Sequence, residues 1–325
     1  MTERRVIVKV PASTANLGPG FDTLGMALSL YAWIELAASE DETVINLYGS
    51  GLEGVPRDKS NLIYKVAQLV FKEAGVAVPE LHISMYSDIP LTRGLGSSAS
   101  AIVGALVAAN ALIGSPLTED RLFQLATKLE GHPDNVGASL FGGIVVSAWD
   151  GTRAEKVRLE PHPELEVLVA IPAFQLATEK ARHALPKEIA MGDAVFNVGC
   201  SSLLVAAFAS GQLELIGHAM RDRLHQPYRA AFIPGMAEIL EKATEHGALG
   251  TALSGAGPTL LALVEASSPR KDELEQFLLA TLRREGIEAK TLWLKPCAGG
   301  PEVTTLVRDE VVPAFMERIK GEVKA

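Results

Sequence analysis

Cysteine is scarce in this chain. Two occur among 325 residues, Cys200 and Cys297, and neither has a partner at metal-ligand spacing. That excludes a disulfide scaffold and a cysteine-based metal site, and the reduced cytoplasm is the expected setting. Basic residues are outnumbered, 30 Lys and Arg against 39 Asp and Glu, for a net charge of −9. The broad basic face of a general nucleic-acid binder is therefore missing. A small acidic substrate is not excluded, because a few buried arginines can dominate a local field. The N-terminal residues hold no apolar run of the kind that begins a secreted chain. Charge is missing from residues 94–118 and 194–213, yet both stretches are rich in Ala, Ser and Gly rather than Leu and Phe. They predict buried core helices, with no membrane partner. Apolar residues are plentiful, 48% against 21% charged, which excludes a disordered chain. The length predicts two domains, each with its own core.

Hydrophobic periodicity predicts strands over residues 4–10, 28–37, 43–48, 81–89, 141–149, 165–171, 259–264 and 290–294. It predicts helices over 61–73, 98–112, 119–130, 178–185, 194–210, 236–246 and 272–285. Thr118 suits an N-cap, and Gly75 suits the position after a last turn. Residues 11–22 read as a loop dense in turn formers, and 302–325 as a loosely amphipathic helix. A charged, turn-rich stretch at 150–164 marks a boundary, giving an N-terminal domain over 1–155, a C-terminal domain over 156–300 and a tail over 301–325. Strands and helices mix without regular alternation, so the expected class is α+β rather than a doubly wound parallel sheet.

The sharpest local feature is the run Pro90, Leu91, Thr92, Arg93, Gly94, Leu95, Gly96, Ser97, Ser98, Ala99, Ser100, set between a strand and a small-residue helix. Glycine permits positive φ and lets a polyphosphate approach the main chain. Free N–H groups at a helix start, with the dipole behind them, favour an anion. The Ser97 and Ser98 hydroxyls can bond phosphate or ligate Mg2+. No Gly-Lys-Ser/Thr occurs, so this is not a Walker A loop. An ordinary tight turn with a serine cap has the same composition. Two more loops, residues 16–22 and 253–258, can each be read alone as structural turns. Three such loops in one chain predict convergence on one ligand.

In combination these segments resemble the GHMP kinases. The carriers are Pro11-Ala-Ser-Thr-Ala-Asn-Leu-Gly-Pro-Gly-Phe-Asp22, Arg93-Gly-Leu-Gly-Ser-Ser98, Glu130-Gly-His-Pro-Asp-Asn-Val136 and Ser254-Gly-Ala-Gly-Pro258. They span roughly residues 5–295 in the family's order. The first and third are most similar to the branch that phosphorylates homoserine. The resemblance implies an N-terminal domain related to the second domain of ribosomal protein S5 and a ferredoxin-like C-terminal domain. It also implies ATP and Mg2+ as cofactors, transfer of phosphoryl to the homoserine hydroxyl in threonine biosynthesis, and a homodimer.

Site roles follow from the same resemblance. Residues 90–100 would cradle the triphosphate, and Asn61 would meet the adenosine. Ser98 and Glu130 would ligate Mg2+; alone, Glu130 reads as a solvated carboxylate at a helix end. Arg182 and Arg229 would clamp the acceptor's carboxylate, since a planar guanidinium can bond both oxygens. Asp22 would pair with its ammonium, with Asn16 beside it, although both also suit Asx turns. Thr178 would bond carboxylate or phosphate, and Gly255 and Gly257 would shape the floor. Asn135 would position the hydroxyl and His132 would touch substrate, while Asp134 is either a base or structural. Other readings on this fold are a kinase for shikimate, a mevalonate derivative or a sugar, and a non-catalytic sensor. Two Arg, one Asp and one Asn favour a zwitterion over a sugar. Shikimate would leave Asp22 without a partner, and Ser98 with Glu130 argues against a mere sensor.

Overall fold

The structure, a computed structural model, describes residues 4–49, 51–52, 54–307 and 314–323. The first unit contains β1 (Arg4–Asn16), β2 (Gly20–Ser39), β3 (Val44–Tyr48), α1 (Leu62–Glu73), β4 (Glu80–Ser87), α2 (Ser97–Leu112), α3 (Glu119–Glu130), α4 (Asp134–Phe141), β5 (Ile144–Trp149) and β6 (Ala154–Leu159). The second contains β7 (Leu165–Pro172), α5 (Thr178–His183), α6 (Met191–Ser210), α7 (Ile216–Ala219), α8 (Gln226–Arg229), α9 (Met236–Lys242), β8 (Gly250–Leu253), β9 (Leu260–Glu265), α10 (Lys271–Arg284) and β10 (Ala289–Leu294). β11 (Glu302–Val307) and α11 (Phe315–Ile319) then return to the first unit. We place the division between the units within residues 160–164.

The larger sheet runs β11-β1-β2-β4-β3, with β5 joined to the early part of β2 and β6 to β5. Val6, Val8 and Val10 face a core shared with α1 to α4. α2 lies at its centre and is apolar nearly all round, which is the pattern of a buried helix. Gly104 lets it sit close to the sheet: a Cβ there would lie 2.6 Å from Ile34 Cδ1. The smaller sheet runs β10-β7-β9-β8. Its strands, numbered along the chain, lie in the order 4-1-3-2 with helices after the first and third, a ferredoxin-like βαββαβ arrangement.

Four sequence expectations change. Residues 11–16 continue β1 instead of forming a loop, and the turn is confined to residues 17–19. Pro11 is accommodated beside a register shift in the β1–β2 ladder. The charged stretch after residue 150 holds β6. The tail begins as a strand paired antiparallel with β1, with a helix only at Phe315–Ile319; residues 308–313 and 324–325 lie outside the described residues. Finally, α6 is not a buried core helix. It is long and apolar enough to cross a membrane by length and composition, and it buries Asn197, Cys200, Leu204, Ala207 and Phe208 while leaving Met191, Val195 and Val198 exposed.

Candidate active site

A cleft opens between the two units and is lined by residues of both. The three glycine-bearing loops meet here. Asn16 Nδ2 donates to Gly255 O (2.9 Å), Asn16 Oδ1 accepts the Asp22 N–H (3.0 Å), and Ser254 Oγ donates to Gly94 O (2.5 Å). The contact at Gly94 requires glycine. Its φ is +82°, and a Cβ would fall 2.3 Å from Ser254 O.

One wall is the start of α2. Its N-cap is Gly96, left-handed at φ 69°, and no side chain caps the first turn. Those amides, with Ser97 and Ser98, border the cleft and form an anion seat. Ser98 Oγ donates to Glu130 Oε2 at 3.1 Å. Glu130 ends α3, where the helix dipole opposes a negative charge. Burial raises its pKa, and nearby His132 and the Ser98 hydroxyl offset this only in part. A half-buried carboxylate and a hydroxyl beside an anion seat form a donor set that fits Mg2+, which takes few protein ligands and completes its shell with phosphate and water.

The opposite wall is cationic. Arg229 is 2% exposed and donates to Ala181 O (3.3 Å), Gly255 O (3.1 Å) and His225 Nδ1 (3.2 Å). Among the described residues no carboxylate lies within ion-pair distance of it. Burial, with repulsion from Arg182, brings its pKa down to about 10 despite Asp22 and Asp222 nearby. Such a desolvated, unneutralised guanidinium calls for an anion. His225, itself fully buried, bonds Gly18 O through Nε2 (2.7 Å), which leaves Nδ1 to accept from Arg229. Arg182 and Asp22 form a bidentate pair, Nη1–Oδ2 3.0 Å and Nη2–Oδ1 2.7 Å, and that bond raises the Arg182 pKa. The Phe21 ring serves both guanidinium groups, with centroids 5.5 Å from Arg182 and 5.3 Å from Arg229.

The third wall is the turn from α3 to α4. Gly131, at φ 83°, stops α3 and returns its N–H to Thr127 O. Asp134 then gathers its neighbours: its Oδ1 meets His132 Nδ1 (2.7 Å), Asn135 N (2.6 Å) and Asn135 Nδ2 (3.3 Å). Burial works against a charged His132, but the Asp134 bond and charge outweigh it and hold the imidazole above its usual pKa. Ser13 Oγ donates to Asn135 Oδ1 at 3.0 Å, fixing the amide's other end. Asp22, His132 and Asp134 lie close enough to share a metal, but Arg182 occupies Asp22, and Asp134 holds His132.

The cleft is bordered by Asn16, Asp22, Thr92, Gly94, Gly96, Ser97, Ser98, Glu130, His132, Asp134, Asn135, Thr178, Arg182, Arg229, Gly255 and Gly257, all expected from sequence. Other expected residues do not border it. Asn61 is a buried helix cap, with Nδ2 on Pro56 O and Oδ1 on Ile63 N. Leu95 and Ala99 face the core, and Ser100 Oγ turns back to Ser97 O. Arg93 Nη2 donates to Ala173 O, and Pro90 and Leu91 precede the part of the loop that reaches the ligand space. Ser13, Phe21 and His225 were missed. The first two stand inside the quoted N-terminal motif, in a stretch that reads as a loop dense in turn formers; His225 precedes Arg229 by one helical turn.

Models of the GHMP kinases N terminal domain and the GHMP kinases C terminal region match residues 61–143 and 204–284. The chain is 47% identical over 291 residues to homoserine kinase of Carboxydothermus hydrogenoformans, covering 90% of this chain and 94% of that one. It is 46% identical over 297 residues to homoserine kinase of Moorella thermoacetica, covering 91% and 99%. A crystal structure of homoserine kinase from Cytophaga hutchinsonii superposes with a TM-score of 0.83 at 28% identity, covering 92% of this chain and 97% of that one. The chain belongs to the GHMP kinase family, in its homoserine kinase branch.

Proposed function

We propose that this chain transfers the γ-phosphoryl group of ATP to the hydroxyl of L-homoserine, giving ADP and O-phospho-L-homoserine for threonine biosynthesis. The observation that carries this reading is Arg229, a buried guanidinium without a carboxylate partner among the described residues, across one cleft from the uncapped start of α2. The polyphosphate sits on the α2 amides and Gly94. Ser98 and Glu130 hold Mg2+, which offsets phosphate charge. The acceptor's carboxylate takes Arg229 and Arg182, and its ammonium takes Asp22, so a zwitterion exchanges partners with the Asp22–Arg182 pair without stranding either charge. Asn135, held by Ser13 and Asp134, positions the hydroxyl. Asp134 orients its neighbours rather than acting as base. A loose phosphoryl-transfer transition state needs placement more than prior deprotonation. A cytoplasmic homodimer is the setting this reading implies.

The test is a panel. The purified protein is incubated with Mg-ATP and, separately, homoserine, serine, shikimate, mevalonate or galactose, and ADP is measured. Homoserine is expected to give the highest turnover. Turnover only with an acceptor that is not an amino acid would overturn the reading, and ATP binding without ADP formation would favour a sensor.

A further inference from the structure

The phosphate loop is fastened to the second unit by a cluster of bonds within three residues. Thr92 O accepts Leu176 N (3.5 Å), Arg93 O accepts Thr259 N (3.2 Å), and Gly94 O accepts Ser254 Oγ (2.5 Å). Arg93 Nη2 adds a side-chain tie to Ala173 O at 2.6 Å. Thr92 has a φ of +52°, an outlier for a β-branched residue. Such a conformation persists only when its surroundings over-determine it, and these bonds do so.

Ala173 and Leu176 both lie on the short connection from β7 to α5. α5 carries Thr178 and Arg182, and Ala181 is its one buried residue, so the helix has little packing of its own to fix it. The Arg93 side chain therefore runs from the loop that seats the polyphosphate to the segment that presents the acceptor clamp. It sacrifices hydration to do so. Its Nη1 is buried without a hydrogen-bond partner among the described residues, and burial lowers its pKa. Its side-chain bond to Ala173 O is made outside the ligand space.

We infer that Arg93 is a positioning residue that keeps Arg182 and Thr178 in register with the phosphate loop, so that acceptor hydroxyl and γ-phosphoryl meet in line. This rests on the kinase reading above. It departs from the motif-based expectation that Arg93 touches ATP. Reacting groups tolerate little misplacement: about 1 Å costs on the order of a hundredfold in rate.

The experiment compares steady-state kinetics of the parent with Arg93→Ala, Arg93→Met and Arg93→Lys, each checked by thermal melt. Arg93→Ala and Arg93→Met should raise homoserine KM about tenfold and lower kcat, with ATP KM changed by less than about twofold. Arg93→Lys should recover part of the loss, since an ammonium can reach one carbonyl but lacks the fork. In an Arg182→Ala background, Arg93→Ala should add little further, because it acts through that helix. A larger rise in ATP KM than in homoserine KM, full additivity with Arg182→Ala, or unchanged constants in an active parent would overturn the inference. A parent that forms no ADP with homoserine would instead defeat the kinase reading.

Discussion

Glu130 is the residue where local electrostatics translate most directly into a measurable pH effect. It ends a helix, is desolvated, and has a hydroxyl, not a cation, as its bonded neighbour. Burial raises its pKa, so as pH falls it takes up a proton earlier than an exposed glutamate would. A proton and a divalent cation compete for the same oxygens. The acid limb of kcat/KM should therefore lie higher at limiting Mg2+ and move to lower pH as Mg2+ approaches saturation. Rate profiles at two Mg2+ concentrations check this. A limb at one pH under both conditions would remove Glu130 as the ligand. Arg229 makes a related point. Asp22 and Asp222 relieve its cost only in part, and an anion in the cleft would relieve more of it.

At the scale of elements, α2 joins stability to function through its N-cap. A Cβ at Gly96 would meet Ser13 Oγ at 2.1 Å, and φ there is +69°. Ser13 in turn holds Asn135. Gly96→Ala should thus cost about 1–2 kcal/mol of backbone strain and also loosen the Asn135 amide, which we propose positions the hydroxyl. The expected result is a lower Tm in thermal melts and a kcat loss that exceeds any loss of ATP affinity; an unaltered kcat would break the link from Gly96 through Ser13 to Asn135. Helices with local stop and start signals were legible in the sequence: Thr118 caps α3 by accepting Arg121 N, and Gly75, at φ 68°, follows the last turn of α1. The 11–16 segment was not, because Ala12, Ser13, Thr14 and Asn16 have turn-former or small identities. Their strand state comes from pairing with β2 and burial between the units. Much of the site was legible because its chemistry sits in contiguous motifs. The ties that orient it were not, since Arg93 to Ala173 and Ser13 to Asn135 join segments far apart in sequence.

Across the whole molecule, the chain closes on itself at the sheet's far face, away from the α2 side. β11 extends the sheet beyond β1, and α11 lays Phe315 and Ile319 on Ile7 and Trp33. A sequence reading has little access to this, because the partner strand is at the opposite end of the chain. The contact contains a buried charge: Glu35 is 2% exposed and is held by Arg318 from α11 and by Arg5 from β1, the latter at 2.5 Å. Burial lowers the Arg318 pKa, with the Glu35 charge opposing it. Removing one partner from a buried ion pair costs more than the pair itself contributes, because the remaining charge stays desolvated. Glu35 would keep Arg5 after Arg318→Ala, so the loss should be that of a charged hydrogen bond, about 1–3 kcal/mol. Denaturant titration measures it. None of these residues borders the cleft, so kcat and both KM values should stay within about twofold of the parent. A large kinetic change at unchanged stability would mean that the tail reaches the active site through the β1–β2 pair and is more than a clasp on the outer sheet face.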